Sequence, residues 1–254
     1  MPRSARTYTT SAVAVALGTA AAFAMTACSP SAGGQRSDDF VIAVAPDSVE
    51  QAILGEIYRV LLESVGRPAA VEVVDEAATD PAVDLVRSGQ ADMAIACTGT
   101  LLSQIDPQLA EEAAADIAHD DAAGDFNDDT NSETIYEYAV GSFPGDVMTV
   151  DPSPAQACAP EGEEPGEGPL PTNVIPVFNK SELNRGQLNR LNFVNRVLST
   201  EDLNAMIEEV ERGETVRNVV AEWMLQRTKI TVDTQSEDEG DTGESDNVIE
   251  QPPM

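Results

Sequence analysis

The chain has 254 residues, 42% of them hydrophobic but only 4% aromatic, and a formal net charge of -31. Its size suits one or two small lobes rather than a string of domains. A field of that sign repels nucleic-acid phosphates and anionic substrates and draws cations inward, unless it only keeps an exported protein soluble.

Pro2, Arg3 and Arg6 make a basic start, and Ser11 to Met25 is an apolar run too short for a membrane span. Met25-Thr26-Ala27-Cys28 then reads as a bacterial lipobox, in which Cys28 is acylated and becomes the new N-terminus. The alternative is a plain secretory signal with an incidental cysteine. Residues 1–28 are therefore predicted as a lipoprotein signal peptide. The mature protein is expected on the outer face of a bacterial cell membrane, anchored by lipid. Residues 29–38 are small and polar, which predicts a flexible tether.

Phe40 to Pro46 is a short apolar run stopped by proline, the pattern of a buried strand. Ile53, Leu54, Ile57, Leu61, Leu62 and Val65 follow at helical spacing, and Gly66-Arg67-Pro68 ends that helix. Val71 to Asp75 predicts a second strand, Pro81 to Arg87 a short helix, and Ala91 to Cys97 a third strand. This rhythm means βαβ units and a parallel sheet.

Pro107 to His119 and Ser132 to Val140 predict helices separated by an acidic loop, Asp120 to Asn131. Val147 to Val150 is a weak strand. Residues 152–172 read as a proline- and glycine-rich connection that cannot build a core. Asn173 to Phe178 returns to a strand. Leu188, Leu191, Val194 and Leu198 then share a helix face, Ser199 to Asp202 opens a capped helix to Arg212, and a last helix runs from about Glu214 to Gln226. From Asp233 onward eight acidic residues meet no basic one, predicting a disordered tail.

The charge is unevenly spread. Between Ser88 and Asn179 there are 18 Asp and Glu and no Lys or Arg, whereas Lys180 to Lys229 holds eight of each sign. Cys97 and Cys158 are candidates for a disulfide in a compartment that permits one, the alternative being two inert thiols.

Three ordered segments resemble the extracytoplasmic binding proteins of quaternary-amine ABC importers, the glycine betaine/carnitine/choline group. They are Glu50-Gln51 to Tyr58; Ala82 to Thr100, with Ser88-Gly89 to Asp92 and Thr98-Gly99-Thr100; and Pro176 to Met224, with Leu191-Asn192, Leu198-Ser199-Thr200 and Ala221 to Met224. The resemblance implies a periplasmic-binding-protein-like (type II) α/β fold, a parallel sheet with flanking helices, that closes on ligand like a trap. Lobe one would comprise 39–100 and 173–230, sharing one β-layer. Residues 101–172 would form a reduced, acidic lobe two, and 231–254 the tail.

The sequence departs from that family where a cationic headgroup would sit. Such proteins box the headgroup between aromatic rings. Here Pro46-Asp47-Ser48-Val49 stands where they usually carry a Phe and an Asn, and Ala96-Cys97 where they usually carry a tyrosine.

In open α/β folds ligands sit at strand carboxyl ends. That rule makes Asp47, Ser48, Thr98, Gly99 and Thr100 candidate ligand residues, with Tyr136 on an opposite wall. The competing reading is capping and turn formation. Trp223 reads as core. Asp125, Asn127, Asp129 and Asn131 alternate like the start of a calcium loop, but Thr130 and Tyr136 occupy the positions that need Gly and Glu. His119 is the only histidine and has no partners at zinc spacing.

No nucleophile elbow, Walker loop or zinc-protease motif occurs, so no enzyme and no cofactor is expected. The expected partners are an ABC permease in the membrane and a small cationic or zwitterionic solute, with the protein acting as a monomer. The alternative is a divergent homologue without a pocket, serving as a cell-envelope interaction or regulatory lipoprotein.

Overall fold

The computed structural model describes residues 39–123, 128–159, 165–166 and 168–231. The predicted signal peptide with Cys28, the predicted tether and residues 232–254 of the predicted tail lie outside the described residues. Among the described residues no helix is long and apolar enough to cross a membrane.

The strands are β1 (Phe40–Val44), β2 (Ala69–Val73), β3 (Met93–Cys97), β4 (Val147–Met148) and β5 (Val174–Asn179). Among the described residues all of them lie in one sheet, in the order β2-β1-β3-β5-β4. β1 pairs in parallel with β2 and β3. β5 runs antiparallel to β3, with Met93 opposite Phe178 and Cys97 opposite Val174. The expectation of a parallel sheet therefore holds for all but one strand, since β5 alone is reversed. An apolar run carries no mark of its direction, and only the pairing decides it. Residues 40–100 and 173–225 do share one β-layer.

The helices are α1 (Val49–Ser64), α2 (Ala82–Ser88), α3 (Thr98–Ile105), α4 (Pro107–Ala123), α5 (Asp128–Gly141), α6 (Arg185–Val197), α7 (Thr200–Glu211) and α8 (Val216–Thr228), with a single 3-10 turn at Asp75–Ala78. Alternation along the strands sorts the core into two layers. Phe40, Ile42, Val44, Met93, Ile95, Val174 and Phe178 pack with residues of α1, α6, α7 and α8. Val41, Ala43, Ala94, Ala96, Ile175 and Val177 pack with α2 and with Leu101 of α3. Trp223 is buried in the first of these clusters, as its helical spacing predicts.

Two devices fix α1 on the sheet. A Cβ at Gly55 would stand 2.7 Å from Val44 Cγ1, so glycine permits the close approach of helix and strand. Tyr58, fully buried, donates from its hydroxyl to Asn195 Oδ1 at 2.8 Å, and Asn195 Nδ2 donates to the Asp151 carbonyl at 2.9 Å. Burial pushes the Tyr58 hydroxyl pKa up, against the smaller opposing pull of Asn195. Ser199 caps α7 by accepting the Asp202 N–H, and Arg227 of α8 pairs with the Asp202 carboxylate.

Residues 98–172 differ from their predicted form in two ways. First, α4 reaches Ala123 and α5 begins at Asp128, so most of the expected acidic loop is helical, while 124–127 lie outside the described residues. Asp129 lies in the first turn of α5, where a carboxylate favours the helix dipole. Second, the proline-rich segment does build core. Ala155 and Ala157 are fully buried. Ser153, Ala155 and Ala157 donate backbone N–H groups to the carbonyls of Val174, Leu198 and Thr172. The alanines are small enough to lie flat against β5, and their backbone groups find partners there. Leu102, Ala110, Ala113, Ile135, Ala139 and Leu170 form a separate small cluster that joins α3, α4 and α5.

Candidate functional site

A cleft of about 390 Å³ opens at the carboxyl ends of β1 and β3. Alanines make much of its floor: Ala43 from β1 and Ala45 just past its end, Ala94 and Ala96 from β3. Small side chains there leave the space that larger ones would fill. One wall is the first turn of α1, with Ser48, Glu50 and Gln51; another is α3, with Thr100 and Gln104 one turn apart on the same face. Asp80, just ahead of α2, contributes a second carboxylate. The lining includes no Lys, Arg, His or aromatic residue.

The disulfide is part of this cleft. Cys97 and Cys158 are bonded, with their Cα atoms 6.1 Å apart, and both line the cavity. The bridge ties the end of β3 to the proline-rich segment, where Cys158 sits with φ 58°, a conformation unusual for a residue with a Cβ. The Cys158 N–H donates to Glu50 Oε1 at 3.0 Å. Glu50 Oε2 has no hydrogen-bond partner among the described residues. Burial pushes the Glu50 carboxyl above its usual pKa, and the bond from Cys158 offsets this only in part.

The candidates named from the sequence separate into three groups. Ser48 and Thr100 line the cleft. Ser48 also caps α1, accepting the Gln51 N–H at 3.1 Å, so the capping and site readings both apply to it. Thr98 and Gly99 serve the wall behind. The buried Thr98 hydroxyl donates to the Pro171 carbonyl at 2.9 Å and accepts the Asn173 N–H at 3.1 Å. A Cβ at Gly99 would stand 2.7 Å from both Leu170 Cβ and the Pro171 carbonyl oxygen. The turn expected at Thr98-Gly99-Thr100 is instead the first turn of α3. Its leading N–H groups are spent on the Asn173 and Pro171 carbonyls.

Asp47 and Tyr136 form the third group, outside the lining. Asp47 is exposed, in a left-handed turn with φ 56°. Tyr136 is half-buried on α5 and packs against the layer that holds α2. Its hydroxyl donates to the Val150 carbonyl at 3.2 Å, and burial, with the Asp151 carboxylate, pushes its pKa up. Sequence reasoning missed Glu50, Gln51, Asp80 and Gln104. Their signal was position: Glu50 and Gln51 in the first turn of α1, Gln104 one turn beyond Thr100 on α3, and Asp80 just ahead of α2.

Among the described residues no group of three or more His, Cys, Asp or Glu side chains could hold a metal. Asp129 and Asn131 of the calcium-like run lie on α5, while Asp125 and Asn127 lie outside the described residues. His119 is exposed on α4.

No protein-family model matches the chain, and no curated protein does. Solved structures do. Apo YehZ from Escherichia coli matches with a TM-score of 0.52 at 15% identity, over 76% of this chain and 99% of that one. Lactococcal OpuAC, in its closed form with glycine betaine, matches with a TM-score of 0.38 at 12% identity, over 76% of this chain and 97% of that one. The fold is of the periplasmic-binding-protein kind: an α/β unit with a mostly parallel central sheet and flanking helices.

Proposed function

We propose that this chain is a lipid-anchored, extracytoplasmic solute-binding protein of an ABC importer, and that its solute is small and cationic. One observation carries the reading: a cleft at the strand carboxyl ends whose lining holds Glu50 and Asp80 and no basic side chain. Ligands in open α/β folds occupy that position, and the charge there favours cations. The lipobox at Cys28 and the strongly acidic composition agree with a tethered protein that gathers cations outside the cell. Glycine betaine is what OpuAC holds in its structure, and a related amine is the working ligand class here.

The test is thermal unfolding of the purified full-length protein with millimolar choline, betaine, carnitine or a polyamine. A ligand at 100 times its Kd adds about 2.7 kcal/mol, a rise of several degrees in Tm. No shift across the panel would turn the reading to its alternative, an envelope interaction or regulatory lipoprotein built on a binding-protein frame. Two observations favour that second reading: the lining lacks any aromatic face, and among the described residues there is no second sheet to close over the cleft.

A further inference from the structure

We propose that the cleft selects cations bearing N–H groups, primary ammonium or guanidinium ions, over quaternary ammonium ions, with Glu50 as the counter-charge. This rests on the solute-binding reading above and narrows its ligand. A quaternary ammonium has no proton to donate, so proteins hold it against aromatic faces. Among the described residues no aromatic ring lines the cleft. Phe40, Tyr58, Phe178 and Trp223 are buried in the core on one side of the sheet, and Tyr136 and Phe143 pack into the layer on the other.

What the cleft offers instead is hydrogen-bond acceptors. Glu50 is held by the Cys158 N–H on Oε1 and presents Oε2, while the side chains of Gln51, Thr100 and Gln104 have no hydrogen-bond partner among the described residues. Gln51 stands on the α1 wall, and Thr100 and Gln104 stand on the α3 wall. A primary ammonium has three N–H groups to share between a carboxylate oxygen and neutral acceptors on facing walls. The Asp80 carboxylate adds long-range attraction for the same charge. A trimethylated nitrogen of the same charge would displace the water from these acceptors and return nothing to them, which is how a polar site rejects an analogue lacking the group it was built to bind.

The bond from Cys158 also bears on selectivity. It fixes the carboxylate from the side opposite the free oxygen, so Glu50 need not be ordered when ligand arrives. The carboxylate sits where burial disfavours its charge, and a bound cation relieves that cost.

The experiment is calorimetric titration of the purified full-length protein with matched pairs differing only in N-methylation: ethanolamine against choline, and putrescine against its hexamethyl form. The N–H member of at least one pair is expected to bind tenfold or more tightly than its methylated partner. Glu50→Gln, whose carboxamide can still accept the Cys158 N–H, should weaken that binding at least tenfold without lowering Tm. Gln104→Leu, on an exposed position of α3, should weaken it several-fold and guards against a folding defect in the first variant. Equal or tighter binding of the methylated members would overturn the selectivity while leaving the solute-binding reading intact. Failure of every member to bind would overturn both. Undiminished binding by Glu50→Gln would remove Glu50 as the counter-charge.

Discussion

The sheet with α1 and α6 to α8 and the excursion between β3 and β5 are held together by different means. The first is a conventional apolar core: large side chains such as Phe40, Ile57, Leu61, Met93 and Phe178 are fully buried against one another. The second has a small core of mostly alanine and leucine, and it leans on backbone hydrogen bonds to β5 and on one covalent bridge. Dense packing tolerates loss of any one polar contact better than a sparse core tolerates loss of its tie. The contrast suggests where the molecule yields first.

The largest effect should come from the bridge. Converting Cys97 and Cys158 to serine releases a loop of sequence separation 61, and the chain-entropy estimate for that is about 4 kcal/mol. Urea unfolding should show the drop, and hydrogen exchange should show it concentrated in 98–172. A uniform loss of protection across both regions would break the comparison. Gly99→Ala comes next. Its Cβ would collide with the Pro171 carbonyl, a backbone group that cannot swing aside, at a cost of about 1–3 kcal/mol.

A single polar change in the sheet region should cost less than loss of the bridge. Tyr58→Phe strands the Asn195 carbonyl oxygen at the α1–α6 contact and should cost about 1–3 kcal/mol, spread over the global transition rather than one segment. Ser199→Ala removes the α7 cap and should cost about 1 kcal/mol.

The smallest effect is the pH response at Asp202. Burial alone would raise this carboxyl, but the Arg227 guanidinium paired with it outweighs that and holds the pKa below the usual carboxylate value. A depressed folded pKa means the contribution is present above the unfolded value and fades as pH falls through the folded one. Because Arg227 is half-exposed, removing the pair with Asp202→Asn should cost less than about 1 kcal/mol at neutral pH and flatten the acid limb of the stability curve.

Legibility divides along nearly the same line. β1, β2, β3 and β5, and the helices from α6 onward, could be read from short apolar runs, from 3.6-residue spacing and from caps such as Ser199, because local pattern and final burial agree there. In 152–172 composition misled. Prolines and glycines read as loop, yet Ala155 and Ala157 are buried because β5 and Leu198 supply partners for their backbone. The cleft was legible in position but not in membership. The strand-end rule pointed to Ser48 and Thr100, which line the cleft, and also to Asp47, which a left-handed turn leaves in solvent. Glu50 becomes a site residue through a bond to Cys158, 108 positions away, and no local pattern carries that.

The reversal of β5 has a consequence for how such a chain can change over time. Because Cys97 and Val174 are direct partners in the ladder, the chain between them leaves and re-enters the sheet at neighbouring positions, and of its strands only the two-residue edge strand β4 touches the sheet on the way. Two antiparallel neighbours can be joined by a turn of only a few residues. The scaffold therefore has no geometric need of the intervening helices, which can lengthen, shrink or be exchanged while the β-layer keeps its register, with only the wall of the cleft rewritten each time.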